Sequence, residues 1–182
     1  LGILFFLNYL YYSKHLHILL AFPNTYYSNL EEKGKFGVLE SVKNEVMLMF
    51  YPDRASNENN QVEKFGVSDV LDLNWVQLMN AYSCTECGRC TSECPAHLTG
   101  KKLSPRKIMM DTRDRLEKVS KNITSNKGNF VDDGDRLLDN YITTEELWAC
   151  TSCNACVEVC PIDIDPLSII INMRQYLICL LY

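Results

Sequence analysis

Two runs of cysteine with identical spacing constrain this chain more than any other feature. The first is Cys84-x2-Cys87-x2-Cys90-x3-Cys94-Pro95, and the second is Cys150-x2-Cys153-x2-Cys156-x3-Cys160-Pro161. Eight of the nine cysteines fall in these runs; the ninth, Cys179, stands alone and is read as non-functional. The spacing is that of a [4Fe–4S] ligand run. Three thiolates two residues apart in a tight loop can each reach a different iron of one cubane. The backbone N–H groups of the loop then point at the sulfurs and offset their negative charge. A proline after the fourth cysteine ends the loop by refusing to continue a helix. Gly88 removes a Cβ where the first loop bends closest to its cluster.

In two-cluster ferredoxins the fourth cysteine of each run ligates the other cluster. The expected assignment is therefore crossed. Cluster one takes Cys84, Cys87, Cys90 and Cys160, and cluster two takes Cys150, Cys153, Cys156 and Cys94. Structural zinc sites also use Cys-x2-Cys, but in pairs rather than as four close cysteines ending twice in Cys-Pro. A disulfide framework needs an oxidising compartment and is awkward with an odd cysteine count. The apolar start has no basic flank and no small-residue cleavage site, so no secretory signal is expected.

Length and charge narrow the rest. With 182 residues the prior is one domain with an appendage. The 23 acidic against 18 basic residues give a net charge of −5, which argues against nucleic acid as a partner. No Walker A loop, GxGxxG or HExxH motif is present. The chain opens on Leu1 and closes on Leu-Leu-Tyr within a helical pattern, and both ends are read as cuts in a longer chain.

Residues 1–22, LGILFFLNYLYYSKHLHILLAF, read as the end of a transmembrane helix. Tyr9, Tyr11 and Tyr12 would sit at the interface, Lys14 on the cytoplasmic side, and Pro23-Asn24 would stop the helix. Residues 23–65 hold breakers at Gly34 and Gly37 and a short amphipathic helix on Val38, Val42, Val46, Met49 and Phe50, ended by Pro52. The polar stretch 52–64 reads as a linker. The main domain spans 66–178. Ser68 or Asp69 would cap a helix carrying Leu71, Trp75, Leu78, Met79 and Tyr82 on one face. Ser104-Pro105 opens a helix with an Ile108, Thr112, Leu116 and Val119 stripe opposite its charges, and 124–135 is a loop. Thr143-x-x-Glu146 is a capping box. Asp165-Pro166 begins a last helix with Ile169, Ile170, Met173 and Leu177 inward; Asp163 and Asp165 are read as capping it. No apolar–polar alternation of strand type appears. The fold class is mainly α.

The 55 residues between Cys94 and Cys150 leave room for helices. Such long helical connections resemble the α-helical ferredoxin domain of succinate dehydrogenase and fumarate reductase iron–sulfur subunits. The plant-type domain of those subunits has its own cysteines, and none precedes Cys84 here. The stretches DLNWVQLMNAYSCTECGRCTSECPA and ELWACTSCNACVEVCPIDIDPLSIIINMRQYL resemble membrane-linked iron–sulfur reductases of the heterodisulfide reductase type more closely. In that group the dicluster domain precedes cysteine-rich CCG domains, which this sequence lacks. The resemblance implies electron transfer, with a redox partner protein or a CCG-type domain downstream.

The segment YYSKHLHILLAFPN resembles the last membrane helix of nitrate reductase gamma-type cytochrome b subunits. That resemblance implies haem b ligation by His17, not by His15, with the second ligand on another helix. His97 is read as a surface or outer-sphere residue. The overall expectation is an α-helical ferredoxin domain with two [4Fe–4S] clusters behind a membrane-helix remnant, at the cell membrane with the clusters on the cytoplasmic side. It would pass electrons between a quinone or haem b side and a downstream partner. Partner docking would use Lys101, Lys102, Arg106 and Lys107. The alternatives are a soluble ferredoxin-like carrier, an iron–sulfur subunit of a dehydrogenase, or clusters that only hold the fold. Anaerobic iron and sulfide analysis is expected to return about eight irons per chain; zinc, or about four irons, would overturn the reading of at least one run.

Overall fold

The computed structural model describes residues 1–13, 15–30, 40–51 and 65–180. Lys14, Gly34, Gly37, Val38, Pro52 and the 52–64 linker lie outside the described residues. Ten α-helices occur among those described: α1 Gly2–Tyr12, α2 Leu16–Tyr26, α3 Glu40–Phe50, α4 Trp75–Ser83, α5 Arg89–Ser92, α6 Pro95–Leu98, α7 Pro105–Ser125, α8 Thr144–Ala149, α9 Ala155–Glu158 and α10 Pro166–Leu180. No strand occurs among the described residues, as the missing alternation predicts.

Helix α7 is the centre of the domain and packs on α4 and α10. Its buried side carries Ile108, Met109, Thr112 and Val119, and the apolar members meet Leu137, Leu147, Ile169, Ile170 and Met173 in one core. The expected start signals operate. The Ser104 hydroxyl accepts from Lys107 N with Pro105 in the first turn, and Thr143 and Glu146 cap α8 reciprocally. Asp165 Oδ1 accepts from Ser168 N at 2.9 Å at the start of α10. Asp163 has a different place: it lies in the left-handed region with φ 53, in the turn that follows Cys160.

One charge breaks the expected division of α7 into apolar and polar sides. Arg115 has no exposed surface. Its guanidinium donates to Asp69 (Nε to Oδ1, 2.9 Å; Nη2 to Oδ2, 2.6 Å), to Asp133 Oδ2 at 2.6 Å and to the Asp135 carbonyl at 2.6 Å. Asp69 Oδ1 also accepts from Leu137 N at 3.1 Å. Arg115 therefore ties the domain's opening segment to the loop after α7. Its proximity holds the Asp133 carboxyl below its usual range. A buried cation survives here because its donors are met by two carboxylates and a carbonyl.

Several expectations are corrected. Asp69 caps only a single 3-10 turn, Val70–Asp72, and α4 starts later, at Asn74, whose side chain accepts from Gln77 N. The fully buried residues of α4 are Gln77, Asn80, Ser83 and the small Ala81; of the expected stripe Leu78 packs partly buried against the core, whereas Leu71 and Trp75 stay exposed. The apolar stripe of α4 is displaced because α2 packs along this helix, with Tyr27 edge-on to Trp75 at 4.7 Å. Residues 1–22 do not form one helix. Ser13 adopts an extended backbone, and its hydroxyl donates to the Leu10 carbonyl, closing α1. No described helix is long and apolar enough to cross a membrane. Pro23 does not stop α2, which runs on to Tyr26. Proline there removes one backbone donor, but the next residue, Asn24, is buried and donates to the Ile162 carbonyl at 2.7 Å, fixing the turn from outside. On α3 the residues Val46, Met49 and Phe50 are exposed rather than packed.

Gly66 has φ +74, and a Cβ there would lie 2.3 Å from Tyr176 N on α10. This close approach lets Val67 N donate to the Asn172 carbonyl at 3.1 Å. Replacing Arg115 with alanine strands two half-buried carboxylates, Asp69 and Asp133, and empties a fully buried site. The expected loss is about 3–5 kcal/mol, read as a lower midpoint in anaerobic urea unfolding; Asp135→Asn, which keeps the backbone acceptor, is expected to change little.

Candidate metal centre

The two cysteine loops share one backbone design. Two residues after its first cysteine each loop turns left-handed, at Glu86 (φ 60) and Ser152 (φ 56). Two residues later it does so again, at Gly88 (φ 83) and Asn154 (φ 61). These reversals bring an N–H back onto the first sulfur: Ser152 N donates to Cys150 Sγ at 3.4 Å, and the Glu86 N–H bonds Cys84 in the same way. The short helices α5 and α9 then carry Cys90 and Cys156. Gly88 is thus needed for its conformation more than for space, since an added Cβ would meet only Arg106 Nη1, at 4.0 Å. Asn154 meets the same need in the second loop, as Asn tolerates this region better than most residues.

Exposure follows a similar pattern. The middle cysteines, Cys87 and Cys153, are exposed, while Cys94 and Cys156 are buried. Burial pushes the Cys84 thiol up, and Cys160 and Cys87 push it the same way, against the Glu86 N–H and Arg113. Burial also raises Cys90, with Cys84 and Cys160 adding to it. In the second loop burial raises Cys150 against the Ser152 N–H and Arg174, with Cys94 and Cys153 adding to it. Burial pushes Cys156 up to about 12, with smaller contributions from Cys150, Asp165 and Cys90. Cys160 thus lines one cavity with Cys84, Cys87 and Cys90, and Cys94 lies close enough to Cys150 to raise its thiol. Loading such thiols with metal releases protons, because the ligand form is the thiolate.

A cavity of about 260 Å³ lies against Cys84, Cys87, Cys90, Cys156 and Cys160, with Met109, Pro161, Ile162 and Ile164 as apolar wall. Among the described residues no three His, Cys, Asp or Glu groups converge on a single metal ion. Zinc needs such convergence, with sulfurs about 2.3 Å from the ion. A cubane instead spreads its ligands, one per iron, around a volume. Thiols around a cavity, with N–H groups turned onto sulfur, fit a cluster and not one ion.

Each loop is also held by an arginine that sequence reasoning misses. Arg113 on α7 donates to the Cys84 carbonyl at 3.4 Å and pairs with Glu86. Arg174 on α10 donates to the Cys150 carbonyl at 2.5 Å, to Leu147 O at 2.6 Å and to Ser152 Oγ at 3.3 Å, and lies over the Trp148 ring at 5.1 Å. The sequence signal for either is no more than an arginine on a helix otherwise facing the core. The structure places His17 on the wall of the cysteine cavity, while His15 and His97 are exposed. Cys179 is exposed, near the end of α10. The basic patch is partly neutralised: Lys102 pairs with Glu145 at 2.5 Å, and Lys107 with Glu146 at 2.7 Å and Asp111 at 3.1 Å.

Comparison with known proteins agrees with this geometry. The family model "4Fe-4S dicluster domain" matches residues 83–164. The "Probable iron-sulfur-binding oxidoreductase FadF" of Bacillus subtilis is 31% identical over 97% of this chain and 27% of its own length. The "Probable membrane-anchored ferredoxin" of Chromohalobacter salexigens is 33% identical over 62% of this chain and 18% of its own. A CoB–CoM heterodisulfide reductase iron–sulfur protein of Methanocaldococcus jannaschii is 28% identical over 63% of this chain and 52% of its own. The chain thus spans between 18% and 52% of the length of these relatives. No solved structure matches.

Positive charge beside a cluster favours its more negative, reduced form. Arg174→Gln is therefore expected to lower the midpoint potential of one cluster only, and to cost on the order of 2 kcal/mol of stability through lost charged hydrogen bonds. Redox titration of loaded variant and parent, followed by EPR, checks the potentials; an unchanged pair would refute the electrostatic role.

Proposed function

Residues 83–164 are a 4Fe–4S dicluster domain in a chain homologous to heterodisulfide reductase iron–sulfur proteins and FadF-like iron–sulfur oxidoreductases, and on that premise we propose that this chain relays electrons at a membrane surface between a quinone or haem b side and a downstream redox protein. Iron–sulfur electron transfer as part of an oxidoreductase is the coarse function of this group.

Cys84, Cys87, Cys90 and Cys160 would hold one cluster, and Cys150, Cys153, Cys156 and Cys94 the other. A [4Fe–4S] cluster supplies reversible one-electron storage. The chain's own residues do the rest. Met109, Ile162 and Ile164 give the cysteine cavity its apolar wall. Arg113 and Arg174 fix the two loops and offset negative charge. The observation that carries the relay is the packing of α5 on α9, which brings Cys90 and Cys156 into each other's electric field. Two clusters ligated there would be neighbours.

The membrane side is supported by α1 and α2, which expose Ile3, Phe5, Phe6, Leu7, Ile18 and Phe22. Helices this apolar on their outer side bury that surface against lipid or protein. The name of the membrane-anchored relative points the same way. The downstream partner would be a CCG-type domain or a separate redox protein.

One experiment tests both halves. The loaded chain is reduced with dithionite, freed of excess reductant and mixed with vesicles that contain or lack a lipid-soluble quinone. A low-temperature EPR signal broadened by two interacting reduced clusters is expected, with faster loss when quinone is present. A single unbroadened signal would sink the relay. A coupled signal indifferent to quinone would sink the membrane-side reading alone.

A further inference from the structure

The cysteine cavity is not walled by the dicluster domain alone. His17, on α2, lines it together with four of the first cluster's proposed ligands, Cys84, Cys87, Cys90 and Cys160, and with one of the second's, Cys156. The placement follows from the register of α2. His17 and Asn24 are seven residues apart, two helical turns, and so share one side of the helix. Asn24 is 1% exposed and donates to the Ile162 carbonyl at 2.7 Å, two residues beyond Cys160. Beyond the helix end, Tyr27 packs edge-on to Trp75, at the start of the helix that delivers Cys84. The opposite side of α2, with Ile18, Leu19 and Phe22, is exposed, and so is His15. One helix thus grips both chain segments that frame the first cluster, and the residue it presents to the cavity is an imidazole, on a wall shared with cysteines, apolar residues, Arg89 and Arg106. The second loop has a different guard, Arg174 with Trp148.

We propose that His17 is a positioning residue for the cluster of Cys84, Cys87, Cys90 and Cys160, and that this contact makes it the cluster coupled to the N-terminal helices. The inference rests on the dicluster reading above. An imidazole beside a cluster acts from outside the ligand set, by orienting and polarising it, and such outer partners tune the metal's potential. The second cluster is then the one that faces the downstream partner, through the exposed Cys153 and Trp148.

The test uses the full chain loaded anaerobically, with 15N only in its three histidines. Pulsed EPR of the partly reduced protein is expected to show a weak 15N coupling on one cluster. The coupling should vanish in His17→Leu and persist in His15→Ala. The same cluster's midpoint potential should fall in His17→Leu and recover in part in His17→Gln, with the other cluster unmoved. That other cluster should be the one that Arg174→Gln shifts. If His17→Leu does not assemble, loss of coupling in His17→Gln decides. No 15N coupling with eight irons bound, or a coupling that survives both His17 variants, overturns the inference. So does a b-type haem spectrum that depends on His17, since the imidazole would then be an axial ligand. Fewer than eight irons in the parent chain overturns the dicluster reading itself.

Discussion

A guanidinium with no exposed surface holds the middle of this domain together. Arg115 takes up Asp69 from the segment before α4 and Asp133 and Asp135 from the loop after α7. That network adds to the packing of α7 on α4 and α10 a fixed tie to the chain on either side, and α7 in turn reaches the cysteine loops. Two residues before Arg115, Arg113 reaches the first loop. Two turns earlier, Lys107 reaches the Tyr141 carbonyl at 3.1 Å and Glu146 in the cap of α8, the helix that leads into Cys150. One helix therefore sets the position of both loops, and a buried charge sets the helix.

The loops themselves solve a problem common to short segments that present sulfur. Each must reverse direction twice within seven residues while aiming N–H groups inward. Left-handed residues at matching places achieve this, and the chemistry at those places differs. Glycine supplies the second reversal in one loop and asparagine in the other. The supporting arginines also differ in origin, one from α7 and one from α10. The repeat is thus one of backbone path and cysteine spacing, not of the surrounding sequence.

The N-terminal helices add a surface unlike the rest. They expose a large apolar surface, while α1 buries Leu10 and α2 buries the polar Asn24. The inward contacts, Asn24 with Ile162 and His17 with the cysteine cavity, link that surface to the cluster site. An electron route from an apolar phase to the clusters would pass along this seam. The two short helices and the extended Ser13 show that this segment is not one continuous rod.

Cluster chemistry and helical class were legible from the residues alone. Cysteine spacing is local, and the reach of a thiolate from a tight loop depends on few residues. Capping at Ser104, Thr143 and Asp165 was legible for the same reason, because a cap is a bond across three residues. Contacts between segments far apart in the chain were not legible. The burial of Arg115 needs carboxylates from two distant segments, and a charged residue in a periodic stripe reads as solvated until those partners arrive. The helix through Pro23 depends on Ile162, and the rotated buried side of α4 depends on α2. The meeting of His17 with the cysteines joins residues 17 and 160, which long-range packing alone brings to one cavity. Spacing along the chain fixes what a loop can bind; packing between distant helices decides which neighbours tune it.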